Sequence, residues 1–163
     1  MVSSEWSKKL VRFFEEMLGF YRKFLALEQE KYTVLISGKP EDLKKLDGYM
    51  KREQAFALKA RGFESDRQKM LTEAQAPQGT LRELIAQIDP ASKADMQKLY
   101  QELSDVIAEV QSTNKKCARI TKIKIDSVSH VLSNIENHPE LRKIYGDQLK
   151  DAEKSKTVFS EKV

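Results

Sequence analysis

Apolar residues near the start of the chain recur in alternating steps of four and three: Trp6, Leu10, Phe13, Met17, Phe20, Phe24 and Leu27. That is the a/d seam of a heptad pattern, and it predicts a long amphipathic helix. Phe14, Leu18, Tyr21, Leu25, Tyr32 and Leu35 widen the seam into a broad stripe. A stripe this wide suits a helix that touches two neighbours. Ser3 or Ser4 is placed to cap its start, with Glu5 in the first turn. Gly38 reads as the residue just past its end and Pro40 as the first position of the next helix.

A second helix is expected from Pro40 to about Ala74, on a thinner seam of Leu43, Leu46, Met50, Ala57, Ala60 and Leu71. The short link between the two predicts an antiparallel hairpin, with Phe13, Met17, Phe20 and Phe24 against Leu43, Met50, Ala57 and Ala60. Glu53, Glu64 and Arg67 fall in the same register as that seam. Glu64 and Arg67, three apart, read as an ion pair at its edge. Ala74 to Gly79 is a loop by composition, and Thr80 with Glu83 forms a capping-box pattern. A short helix Leu81 to Ile88 follows, ended by Asp89-Pro90.

From Met96 to Ile135 the steps of three and four return, through Leu99, Leu103, Val106, Ile107, Val110, Cys117, Ile120, Val128, Val131 and Leu132. That stretch alone would run roughly 60 Å as a helix, which starts near Ala91 and ends around Glu136 to His138. Beyond Cys117 its apolar residues drift sideways, so its second half is expected to face a different neighbour from its first. Part of that stripe, left over by the hairpin, is then available to a partner. The short helix and a second copy of the chain are the two covers considered for it in the free protein. Residues 139–163 are expected to form a mobile tail with a turn or two of helix near Glu140 to Tyr145, leaving residues 1–138 as one helical domain.

Composition supports this all-α reading: an elongated antiparallel bundle with coiled-coil-like packing. The 163 residues include only six Gly and four Pro, and a third are charged. A net charge of +4 is mild and well mixed. The single cysteine, Cys117, excludes an intrachain disulfide and is expected to be a buried thiol in the seam. No apolar run reaches the length of a membrane span, and the N-terminus shows no signal pattern, so a soluble cytoplasmic protein is expected. No phosphate loop, metal-spaced Cys/His set or nucleophile elbow is present. His130 and His138 read as surface residues, and neither an enzyme nor a cofactor site is expected.

One charge feature stands out: Lys115, Lys116, Arg119, Lys122 and Lys124 occur with no intervening acid. The run is either a solvated face or a contact for an acidic protein. Nucleic acid is disfavoured as a partner, because interleaved aromatics are missing.

Three stretches together resemble the FlgN-type flagellar export chaperones. The first is Phe24-Leu25-Ala26-Leu27-Glu28-Gln29-Glu30-Lys31-Tyr32 running into Gly38-Lys39-Pro40-Glu41-Asp42-Leu43. The second is Glu53 with Phe63-Glu64-Ser65-Asp66-Arg67. The third is Asn114, an amphipathic stretch, then Tyr145-Gly146-Asp147. The family commonly has a second Asn three residues after the first, where this chain has Cys117.

The resemblance implies a cytoplasmic, non-enzymatic chaperone. Such a chaperone binds the terminal helical segment of hook-associated proteins, prevents premature assembly and delivers them to the export gate, a membrane protein. Ile120, Ile125, Val128, Leu132 and Ile135 are the expected client-binding residues, and Tyr145 with Gly146 the expected gate-docking ones. No direct membrane insertion is expected, and a homo-oligomer stays open. A generic coiled-coil adaptor or oligomerisation module is the alternative.

Overall fold

Local capping chemistry sets most of the helix ends. In the computed structural model, which describes residues 3–76, 78–138 and 140, α1 spans Ser4–Ser37. The Ser3 hydroxyl caps it by accepting from the Trp6 N–H at 3.2 Å. Gly38, at φ 62°, ends it in the left-handed region. A side chain at this position would be strained, and its Cβ would lie 3.1 Å from Lys124 Nζ.

The expected single second helix is two. α2, Pro40–Leu43, is one turn with Pro40 at its start, and α3 spans Leu46–Glu73. Between them the backbone tightens: Lys45 N–H donates to Asp42 C=O at 3.0 Å, an i→i+3 bond. The tighter turn rotates Leu46 into the core while Leu43 stays half-buried. α4, Leu81–Gln87, carries the expected capping box, with both Thr80–Glu83 bonds formed at 3.0 and 3.2 Å. α5 runs from Pro90 to Glu136, capped by Asp89. Its 47 residues span about 70 Å. Among the described residues there is no strand, and no helix is long and apolar enough to cross a membrane.

The fold is all-α, as the periodicity predicts. Its packing differs from the expected hairpin core: α1 is the common partner, with α5 as its most extensive neighbour and α3 on another face. α1 and α5 run parallel, as the first and third long helices of an up-down-up bundle. Phe14 meets Tyr100, the Glu28 carbonyl faces Cys117, and Gly38 lies level with Lys124. α3 returns antiparallel, pairing Lys31 with Glu53 and Lys9 with Glu73. Its contact with α1 is aromatic rather than through small residues. Phe56 and Phe63 meet Phe13, Phe20 and Phe24, whereas Ala57 is exposed and Met50 and Ala60 are only half-buried.

Two cores result. The larger gathers Trp6, Leu10, Phe14, Met70, Leu71, Leu84, Ile85, Ile88, Met96 and Leu103 near the start of α1. The smaller joins Val34, Leu35, Leu46 and Cys117, with Tyr49 and Ile120 against it. α4 thus belongs to the larger core, so of the two alternative covers for the apolar stripe after Cys117 it is not the one. Leu84 and Ile85 face Met96 and Trp6, at the other end of α5.

Candidate functional site

The far end of α5 is where apolar surface is left over. Along α5, Leu103, Val110, Cys117 and Thr121 form one buried line against α1. Val128 continues that line two turns later, yet it is 37% exposed. The cause is the length of α1, which ends level with Lys124. Residues 125–136 therefore project about 18 Å past it.

The expected client residues sit unequally on this projection. Val128 is exposed, Ile125 and Ile135 are half-buried, and Leu132 is buried at 9%. Ile120 lies against the smaller core and forms the root of the site. Two more residues belong with them: Ile123 and Val131, 58% and 53% exposed. They were legible as members of the apolar drift. Their exposure was not, because it depends on which faces of α5 its neighbours cover. Of the large apolar residues that are exposed among those described, Ile36, Ile123, Val128 and Val131 all lie at this end, and only Leu58 lies elsewhere. Tyr145 and Gly146, and the tail expected to be mobile, fall outside the described residues.

The basic run lies beside this surface. Lys115, Lys116, Arg119 and Lys122 are exposed and Lys124 is half-buried. His130 and His138 are on the surface, as expected. The Glu64–Arg67 pair forms as anticipated, with Arg67 Nε donating to Glu64 Oε2 at 2.9 Å at an exposed edge.

Sequence reasoning missed a buried polar cluster just above the smaller core. Glu28 is fully buried and Lys31 nearly so, both on α1. Lys31 Nζ donates to Glu53 Oε2 at 2.7 Å and lies 3.2 Å from Glu28 Oε2. Neither oxygen of Glu28 has a well-directed donor. Burial raises the Glu28 carboxyl above its usual range; Lys31 opposes this and Glu53 adds to it. Burial works against the Lys31 charge, but the bond and charge of Glu53, with Glu28 behind them, raise its pKa overall. The available signal was Glu53 standing in the α3 seam. It needed a cation on a facing helix, and Lys31 is that cation.

Cys117 donates to the Glu28 carbonyl at 3.8 Å, and burial pushes its thiol up to about 11. Held as a neutral thiol, it is a packing residue and a poor nucleophile at neutral pH. Among the described residues no group of His, Cys, Asp and Glu could hold a metal. The chemistry on offer is apolar contact rimmed by positive charge.

No curated protein and no solved structure matches the chain. The family model described as FlgN protein matches residues 1–152, which takes in α1 to α5. The chain therefore belongs to the FlgN family of flagellar export chaperones.

Proposed function

We propose that this chaperone holds an amphipathic terminal helix of a hook-associated protein on the projecting end of α5 and delivers it to the flagellar export gate. The observation that carries the reading is the run of exposed apolar residues where α5 outlasts α1. Apolar surface gathered at one end of a chain marks an interaction site. A helix laid along α5 would extend the bundle, in the way amphipathic helices fill apolar grooves. Ile120, Ile125, Val128 and Ile135 supply the face, with Ile123 and Val131 beside them. Leu132, the fifth expected residue, is buried.

The test is co-expression of the full chain with each hook-associated protein of its own bacterium, followed by co-purification and calorimetric titration. A stable complex is expected, and Val128→Asp with Val131→Asp should weaken it by about a hundredfold or more. Both residues are exposed, so circular dichroism should show the helices intact. Full binding by a folded double variant would move the client site elsewhere. Self-association alone, with no client bound, would favour an oligomerisation module.

Docking on the gate by Tyr145 and Gly146 is proposed from the resemblance. Tyr145→Ala should leave client binding and melting temperature unchanged while lowering the amount of hook-associated protein exported. A large fall in melting temperature would place Tyr145 in the fold instead.

A further inference from the structure

Charge distinguishes one side of the proposed docking surface from the other. On α5, Lys115 and Arg119, Lys116 and Arg119, and Arg119 and Lys122 stand three or four residues apart, spacings at which like charges repel. No acid sits at such a spacing from Lys115, Lys116 or Arg119. Asp126 stands four residues from Lys122, but no ion pair forms there. Elsewhere in the bundle several cations meet acids on the same or a facing helix, as in Lys9–Glu73, Arg22–Glu102 and Lys51–Asp47. Among the described residues this positive stripe on the longest helix has no compensating acid.

The stripe is adjacent to the exposed apolar residues. Arg22 stands two residues from both Phe20 and Phe24, so it is on the face of α1 opposite α3. Its ion pair with Glu102, at 3.6 Å, marks that open flank of the α1–α5 seam. Ile120, Ile123 and Val131 lie about five, six and eight turns beyond Glu102, and Ile36 about four turns beyond Arg22. All four are therefore on the same open flank. Moving around α5 away from α1, the apolar strip gives way to Lys116, Arg119 and Lys122.

We infer that the occupant of this flank is an amphipathic helix with a one-sided acidic edge, its apolar face on Ile36, Ile123 and Val131 and its carboxylates against Lys116, Arg119 and Lys122. This rests on the docking site proposed above and adds the chemistry that selects its ligand. Opposite charge across the rim would steer encounter and fix the direction in which the helix lies. It would also relieve the repulsion along α5.

Two synthetic helices of about 30 Å test this. They share one leucine face and differ only in carrying Glu or Lys along one edge. The full chain should bind the Glu peptide about tenfold or more tighter than the Lys peptide at low salt, with the gap closing as salt rises. Arg119→Glu with Lys122→Glu should invert the preference. These side chains are exposed and pair with none of the described residues, so the fold is not at risk. Equal binding of the two peptides, or a preference that the double variant leaves unchanged, overturns the inference. Binding to anionic phosphatidylglycerol vesicles in preference to the Glu peptide also overturns it, in favour of a lipid surface. The failures are separable: hook-associated protein bound as tightly by the charge variant, but lost by Val128→Asp with Val131→Asp, sinks the acidic edge and leaves the client site standing.

Discussion

Lys31→Met is expected to destabilise the protein by about 3–5 kcal/mol at neutral pH, the range for a buried ion pair that loses one partner. Lys31 is the cation shared by a fully buried Glu28 and by Glu53. Without it, two carboxylates face each other between α1 and α3 with no compensating charge. The size of the effect should depend on pH, in a direction that follows from the groups involved. The folded pKa of Glu28 is raised by burial even with Lys31 present. Its contribution is therefore most favourable below the unfolded value near 4.5 and is lost as pH rises through the folded value. Removing Lys31 takes away the influence that holds that pKa down, so the penalty should shrink as pH falls toward 4 and Glu28 becomes neutral.

Chemical denaturation at pH 7 and pH 4 measures the difference. A triple replacement, Lys31→Met with Glu28→Leu and Glu53→Leu, should recover most of the loss, because an apolar cluster of similar volume often replaces a buried ionic one at little cost. An unchanged midpoint for Lys31→Met at neutral pH would show that the cluster is hydrated and contributes nothing. The lysine also has a contribution of its own. Its pKa is raised in the folded state, so that part of the stability is complete below 10.5 and is lost as pH rises through the folded value.

The helix ends could be read from residues because they are local chemistry. Ser3, Gly38, Pro40, the Thr80–Glu83 box and Asp89-Pro90 each satisfy or remove backbone groups within a few residues. The break at Lys44–Lys45 was not legible, since no Gly or Pro marks it. It is set by burying Leu46 in the smaller core, which is a tertiary demand.

The choice of partner was the harder problem. The broad stripe on α1 announces two neighbours but does not name them. The thin seam of α3, with only Leu46, Met70 and Leu71 fully buried, was the clue that α5 would be the main one. Reading Ala57 and Ala60 as the contact overlooked Phe56 and Phe63, which lie one and three residues away. Aromatic rings reach across a wider gap, and their face is the one turned toward α1. For the candidate site, the drift after Cys117 gave the region, while which of its residues are exposed depends on tertiary packing that periodicity does not encode.

Phe20→Ala should cost about 3–5 kcal/mol, as expected for emptying a buried aromatic position, and most of the damage should fall on α3. Phe20 is 5% exposed, and its ring centroid lies 5.3 Å from that of Phe56 and 5.1 Å from that of Phe63. The stem of Lys59 lies along the same ring, its Nζ 5.5 Å from the centroid. Three residues of α3 therefore converge on one side chain of α1. Phe24 supports only Phe56, and Phe13 only Phe63. Between Leu46 and Met70, α3 has no fully buried residue, so its middle is held by this aromatic ladder and by the Lys31–Glu53 bond. The α1–α5 pairing does not pass through Phe20; it uses Phe14, Glu28 and Cys117. Amide hydrogen exchange should accordingly show residues 53–66 losing protection well before α5 does in Phe20→Ala. Phe20→Leu, which keeps most of the volume, should recover a large part of both stability and protection. An unchanged denaturant midpoint would remove Phe20 from the core. Equal loss of protection along α3 and α5 would mean that the three long helices open as one unit.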